Sequence, residues 1–299
     1  MHPLPTSLLA TTAVGMVGLG YAVGIERRAY ALRQVEVPVL PSGGTPLRIL
    51  HISDLHLTPG QSDKQRWVRR LAELDPHLVV NTGDNLAHRD SVPAVLDAFG
   101  GLLEVPGVFV FGSNDYFAPV LKNPVRYLLP QGEIETPDVQ LPHGRLRSEL
   151  TARGWLDLSN RRDALEVDGQ RIAFAGVDDP HLEYDDLAAV AGPADPAATV
   201  SIGVAHAPYL RVLDRFNADG YQLLLAGHTH GGQLCLPGFG ALVTNCDLDR
   251  KRVKGLHRHQ SNGHPASWLH VSAGLGTSPF APARFSCRPE ATLLTLVAR

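Results

Sequence analysis

The sequence predicts an α/β fold in which parallel strands carry helices on the sheet face and a second sheet follows. Three observations carry the prediction. Apolar runs repeatedly stop at a carboxylate or an imidazole, as in residues 49–57 (ILHISDLHL), 78–85 (LVVNTGDN) and 223–233 (LLLAGHTHGGQ). Stretches with helical character separate the strand-like runs 47–52, 77–82 and 108–111, and a β-α-β-α-β order of this kind places consecutive strands parallel. Further on, short strand-like runs flank the hairpin signal Asp168-Gly169, where a second sheet begins. With 299 residues, 44% of them hydrophobic, the chain is long enough to bury one sizeable core.

Residues 7–25 (SLLATTAVGMVGLGYAVGI) carry no charge, and a helix of that length can cross a bilayer. Arg27, Arg28 and Arg33 follow the run, so the positive-inside rule puts the rest of the chain on the cytoplasmic side. Residues 1–33 are therefore expected to form a membrane anchor. Residues 34–46 hold Pro38, Pro41, Gly43, Gly44 and Pro46 and read as a linker loop. One domain is expected over residues 47–299. Its first strand is 47–52. Residues 64–74 place Trp67, Val68, Leu71 and Leu74 at helical spacing. A second strand at 77–82, a helix at 92–99 and a third strand at 108–111 lead to the turn FGSND. Residues 116–150 contain five prolines and read as a lid-like insertion. Residues 156–158, 164–167 and 172–175 are the short strands that begin the second sheet. A helix at 183–190 precedes the strand ending at His206, and a helix at 210–216 precedes the strand ending at His228. Residues 268–273 and 291–297 close the core.

The strand ends carry the chemistry. His228 and His230 lie one residue apart, so an extended backbone aims both imidazoles the same way. Imidazole is the commonest side-chain metal ligand. Asp54 and His56 repeat the spacing after the first strand, Asp84 follows the second, and His206 ends residues 201–208 (SIGVAHAP). Asp, His and Asn together suit divalent cations such as Mn, Fe or Zn and not a thiolate site. Cys235, Cys246 and Cys287 are odd in number and widely spaced, which argues against a disulfide framework and a cysteine-rich zinc site and fits a reducing compartment. A net charge of −3 indicates no general affinity for polyanions, so nucleic acid is not an expected partner.

The order D-x-H, G-D, G-N-H-D, H and G-H-x-H resembles the signature of the calcineurin-like metallophosphoesterases, over residues 47–299. GHTHGGQ is similar to their bacterial YkuE/YaeI-like branch, as are GVDDP (176–180), AGLGTS (273–278) and CRPE (287–290). The resemblance implies an α/β/β/α sandwich: two packed mixed β-sheets flanked by helices. It implies two divalent ions, the first on Asp54, His56, Asp84 and His230, the second on Asp84, Asn114, His206 and His228, with Asp84 bridging. It also implies a phosphohydrolase in which Asp84, Asn114 and His228 are catalytic. Its substrate would be a phosphorylated small molecule or lipid, with a phosphodiester or pyrophosphate bond, as in a lipid-linked or nucleotide-sugar phosphate. Arg126 and His143 in the insertion are the candidates for binding that substrate.

One motif departs from the pattern. Where the family has G-N-H-D, this chain has Gly112, Ser113, Asn114 and Asp115. Without a gap, Ser113 takes the place of the ligand Asn and Asn114 that of the catalytic His. With a one-residue slip, Asn114 remains the ligand and the His is absent. The slip is preferred because an amide oxygen is the better ligand for a divalent ion. Either way no imidazole stands ready to protonate a leaving group, a contribution of typically 10²–10⁴-fold. The alternative function is thus a metal-bearing, membrane-associated binding scaffold with little turnover.

Overall fold

The computed structural model describes residues 6–121 and 137–299. Its strands form two six-stranded mixed sheets. The first contains β1 (Ala31–Leu40), β14 (Glu290–Ala298), β2 (Leu47–Ile52), β3 (Leu78–Asn81), β4 (Gly107–Phe109) and β5 (Leu156–Asp157), in that order across the sheet. The second runs β12 (Gly255–His259), β13 (Ser267–Val271), β9 (Leu223–Ala226), β8 (Val200–Val204), β7 (Gln170–Gly176) and β6 (Arg161–Val167). Strands β2 to β5 are parallel, as are β13, β9, β8 and β7.

Period-two burial builds the layers. Leu47 and Ile49 of β2 point between the sheets, where they join Leu78, Val80, Ile202, Val204, Leu223 and Leu225. Leu50 and Ile52 point the other way. They pack on α2 (Ser62–Arg69), α3 (Val92–Phe99) and α5 (His143–Thr151) through Val68, Val95, Phe99, Leu146 and Leu150. On the outer face of the second sheet, Leu224 and Leu269 pack on Val212, Leu213 and Phe216 of α6 (Leu210–Ala218). This is the expected order of two sheets packed face to face between helices.

The structure corrects four element readings. Residues 34–46 are not a loop throughout, because β1 runs to Leu40 and pairs in parallel with β14. Pro38 is tolerated there because β1 is an edge strand, and the pairing register shifts between Pro38 and Leu40. Strand β5 pairs with β4 and so completes the first sheet instead of opening the second. Residues 183–190 form turns and not a helix. There the Asp186 carboxylate accepts the N–H groups of Ala188 and Ala189, a local bond that competes with helix formation. The last part of the lid-like insertion is not loop but helix α5, which buries Leu146 and Leu150 in the core, and residues 122–136 of the insertion lie outside the described residues.

Ahead of β1, α1 (Thr6–Gly24) leaves Met16, Val17, Leu19 and Ile25 near its end more than half exposed. It meets the domain where the Tyr21 ring stands edge-on to Phe285 and the Arg284 N–H donates to the Ala22 carbonyl. Among the described residues, no helix is long and apolar enough to cross a membrane.

Candidate metal centre

Five parallel strands, β2, β3, β4, β8 and β9, run toward one edge of the sandwich, and the turns that follow them meet there. Backbone bonds fix their mutual positions. The His56 N–H donates to the Asp84 carbonyl at 2.9 Å, and the Gly227 N–H to the His206 carbonyl at 2.8 Å. Two further bonds tie the sheets together: the His228 N–H reaches the Asp54 carboxylate at 3.1 Å, and His206 Nδ1 lies 2.7 Å from the Thr82 carbonyl. Gly227 is required by this closeness, since a Cβ there would stand 1.8 Å from Ser53 Oγ.

The turns hold their ligand-type residues in an unusual conformation. Asp54, His56, Asp84, His228 and His230 all have positive φ, between 41° and 68°. Side chains other than glycine rarely adopt this region, and such outliers gather at functional sites.

The donor atoms form two overlapping groups. In the first, Asp54, His56, Asp84 and His230 each offer one atom, all within 4.8 Å of one another. His56 Nε2 lies 3.3 Å from His230 Nε2 and 3.4 Å from Asp84 Oδ2, and His230 Nε2 lies 3.6 Å from Asp54 Oδ1. In the second, His206 Nε2 lies 3.5 Å from Asp84 Oδ2 and 3.2 Å from His228 Nδ1. The Asn114 side-chain NH2 donates to the same Asp84 Oδ2 at 2.8 Å, and its backbone N–H donates to Asp84 Oδ1 at 2.7 Å.

These spacings test the fit of an ion. Nitrogen and oxygen ligands of an ion such as zinc stand at about 2.0–2.2 Å, so two ligands of one ion stand roughly 3.0–3.6 Å apart. The imidazole–imidazole and imidazole–carboxylate separations fall at 3.2–3.6 Å, mostly too long for good hydrogen bonds and suited to ligands that share a cation. The donor chemistry agrees. Burial pulls His56 down to about 4, and burial with neighbouring imidazoles holds His228 and His230 well below the usual histidine range. All three are neutral and keep a lone pair to give. Burial opposes ionisation of Asp84, but His206, His56 and the Asn114 N–H groups outweigh it and lower its pKa. Burial, reinforced by Asp84, raises Asp54 to about 6, the strain of two carboxylates facing one space. Burial also works against a charged His206, yet Asp84, Asp54 and Asp179 raise it to about 9. A proton on His206 does here what a cation would do better.

Several positioning groups were not legible in the sequence. The Thr82 and Asn245 carbonyls orient His206 and His228, and any residue supplies a carbonyl. Ser53 Oγ donates to Asp54 at 2.5 Å. The guanidinium of Arg284, fully buried, donates to the carbonyls of Ala273 and Gly276 and lies 3.3 Å from His230 Nδ1. Asp115 had a signal, since it closes the FGSND motif. Its carboxylate accepts the N–H groups of Asp84, Asn85 and Gly112. Of the GVDDP turn, Asp178 accepts from Tyr116 Oη and Asp179 from the His181 N–H. His143 begins α5, where its ring packs on Tyr116 and its Nδ1 faces the Leu141 carbonyl, contacts that involve none of the centre's donors. Arg126 lies outside the described residues.

A buried set of neutral imidazoles around ionisable carboxylates, at the carboxyl ends of strands in two packed sheets, defines a metallohydrolase centre. The chain belongs to the calcineurin-like phosphoesterase family, whose model matches residues 47–232. It is 27% identical to the metallophosphoesterase YkuE of Bacillus subtilis, over 96% of this chain and 92% of that one. It is 24% identical to the phosphodiesterase YaeI of Escherichia coli, over 96% of each. A bovine transmembrane protein with a metallophosphoesterase domain is 28% identical over 98% of this chain and 62% of its own length. The protein is a metal-dependent phosphoester hydrolase.

Proposed function

We propose that the protein is a membrane-associated phosphohydrolase with a dinuclear centre of Mn, Fe or Zn, and that it cleaves a phosphodiester or pyrophosphate bond in a lipid-linked or nucleotide-sugar phosphate. The observation that carries the dinuclear reading is the sharing of Asp84 Oδ2 by His56 on one side and His206 on the other, both at ligand-like spacing. Asp54, His56 and His230 would hold one ion with Asp84, and Asn114, His206 and His228 the other. Divalent ions bound there supply Lewis acidity toward phosphoryl oxygens and bring the pKa of water toward neutrality.

The chain's own residues set the rest. Asp115 holds the Asp84 backbone N–H, the Asn114 N–H holds the Asp84 carboxylate, and the Thr82 and Asn245 carbonyls fix the two imidazoles. The FGSND turn offers no imidazole for protonating a departing oxygen, so substrates with acidic leaving groups are favoured over alkyl monoesters. Membrane association is supported by exposed Met16, Val17 and Leu19 on α1, by Ile25 just after it, and by exposed Leu236 and Phe239 on the hairpin of β10 (Cys235–Leu236) and β11 (Gly240–Ala241) that follows the histidine turn. The bovine relative's name agrees with it. Arg27 and Arg28 after α1 favour the cytoplasmic side.

Protein purified without chelator should carry about two of these ions per chain. Asp84→Ala should lose both the ions and the hydrolysis of diesters and pyrophosphates. A protein that is metal-free and also fails to bind added Mn would sink the reading. A fully loaded protein with no turnover on diesters, pyrophosphates or monoesters would favour the binding scaffold.

A further inference from the structure

A cavity of about 150 Å³ lies at the root of α1, lined by Arg27, Arg28, Tyr30, Asp63, Lys64 and Gly276 among others. It backs onto the turn that carries Asp54 and His56. The Lys64 ammonium donates to the Leu55 carbonyl at 2.6 Å, and the Gly276 N–H to the Asp54 carbonyl at 2.6 Å. A water's share of liquid volume is about 30 Å³, so the space suits one tetrahedral oxyanion.

Among the described residues, no carboxylate is bonded to the cavity's two buried cationic groups. Lys64 is only 5% exposed, and its hydrogen-bond partner is a neutral carbonyl. The Arg27 Nε is buried and has no hydrogen-bond partner among the described residues. Asp63 lines the cavity but pairs with Arg66 at its exposed rim, and Glu26 accepts the Ser286 and Cys287 N–H groups. A buried lysine is rare unless paired, because losing its hydration is costly. Burial, with Arg284 and Arg27 close by, pulls the Lys64 ammonium down to about 7.

We propose that this cavity is a phosphate-binding site separate from the metal centre, in which Lys64 and Arg27 hold one phosphate group. The phosphate can belong to a lipid headgroup at the foot of α1 or to a soluble molecule. The chemistry is the same, a tetrahedral oxyanion on a guanidinium and an ammonium.

Equilibrium dialysis of the metal-loaded full chain in detergent micelles against radiolabelled inorganic phosphate tests it. The wild type should bind about two phosphates per chain, one at each site. Lys64→Met should keep only the one at the metal centre, and Asp84→Asn only the one in the cavity. Arg27→Gln, at a partly exposed position, should weaken the cavity site about tenfold or more, the effect of losing one charge-assisted hydrogen bond. It decides the matter should Lys64→Met fail to fold. In Asp84→Asn, stronger displacement of the label by dihexanoyl phosphatidate than by glycerol 3-phosphate would identify a lipid headgroup, and equal displacement a soluble phosphate. A single phosphate per wild-type chain, lost in Asp84→Asn and unchanged in Lys64→Met and Arg27→Gln, would overturn the proposal and leave the hydrolase reading intact.

Discussion

Replacing Asp115 by alanine tests how the centre is built. The side chain is fully buried, and its carboxylate accepts three backbone N–H groups: Asp84 and Asn85 at 2.8 Å and Gly112 at 3.1 Å. Alanine leaves three buried donors without an acceptor, at roughly 1–3 kcal/mol each. Two effects reduce the sum. A water can enter the vacated space, and Asp84 no longer faces a second acid, whose pKa burial and Asp84 together push up to about 7. The expected loss is therefore about 3–6 kcal/mol, a large part of the 5–15 kcal/mol that typically holds a domain together. The folded fraction should also suffer at the centre. Asp84 sits at φ 56°, and Asp115 is what holds its N–H and that of the next residue. Metal-dependent turnover should fall by at least about 100-fold as the shared carboxylate drifts. Urea unfolding at constant m-value and turnover at saturating metal measure the two effects. A stability loss under about 1 kcal/mol, with wild-type turnover, would refute the reasoning.

Asn114→His should weaken metal binding by about 10- to 100-fold and lower activity, while Ser113→Ala should change little. A gain in alkyl-monoester hydrolysis with metal content unchanged would show instead that Asn114 occupies the place of the family histidine. Gly112→Ala places a Cβ 2.4 Å from Asp84 Oδ1 and 2.6 Å from His206 Nδ1, at a backbone conformation any residue can adopt. The fold should survive while the second ion is lost, as counted by elemental analysis of the folded variant. Full-length protein should sediment with membranes and stay protected from external protease in spheroplasts, and a soluble or externally digested domain would contradict the proposed anchor and its side.

The sequence by itself determined the runs that become the central strands and the residues delivered at their ends. That information is local. Asp54 and His56, or His228 and His230, lie within one turn of an apolar run, and period-two burial follows from the order of residue types. The family followed from the same short motifs. Tertiary structure decided which runs become neighbours. Residues 156–157 carry nothing to say that they extend the first sheet beside β4, and residues 34–40, placed in a loop by Pro38 and the breakers of 41–46, become a strand because β14 from the other end of the chain lies alongside. Tertiary structure also decided the fine aim of the ligands. The positive φ angles of five of them, the Thr82 and Asn245 carbonyls and the buried Arg284 guanidinium depend on contacts between segments far apart in sequence. Such contacts form only when both sheets have packed, because burial of apolar surface, and not any local pattern, brings those backbone groups within hydrogen-bonding distance of the histidines.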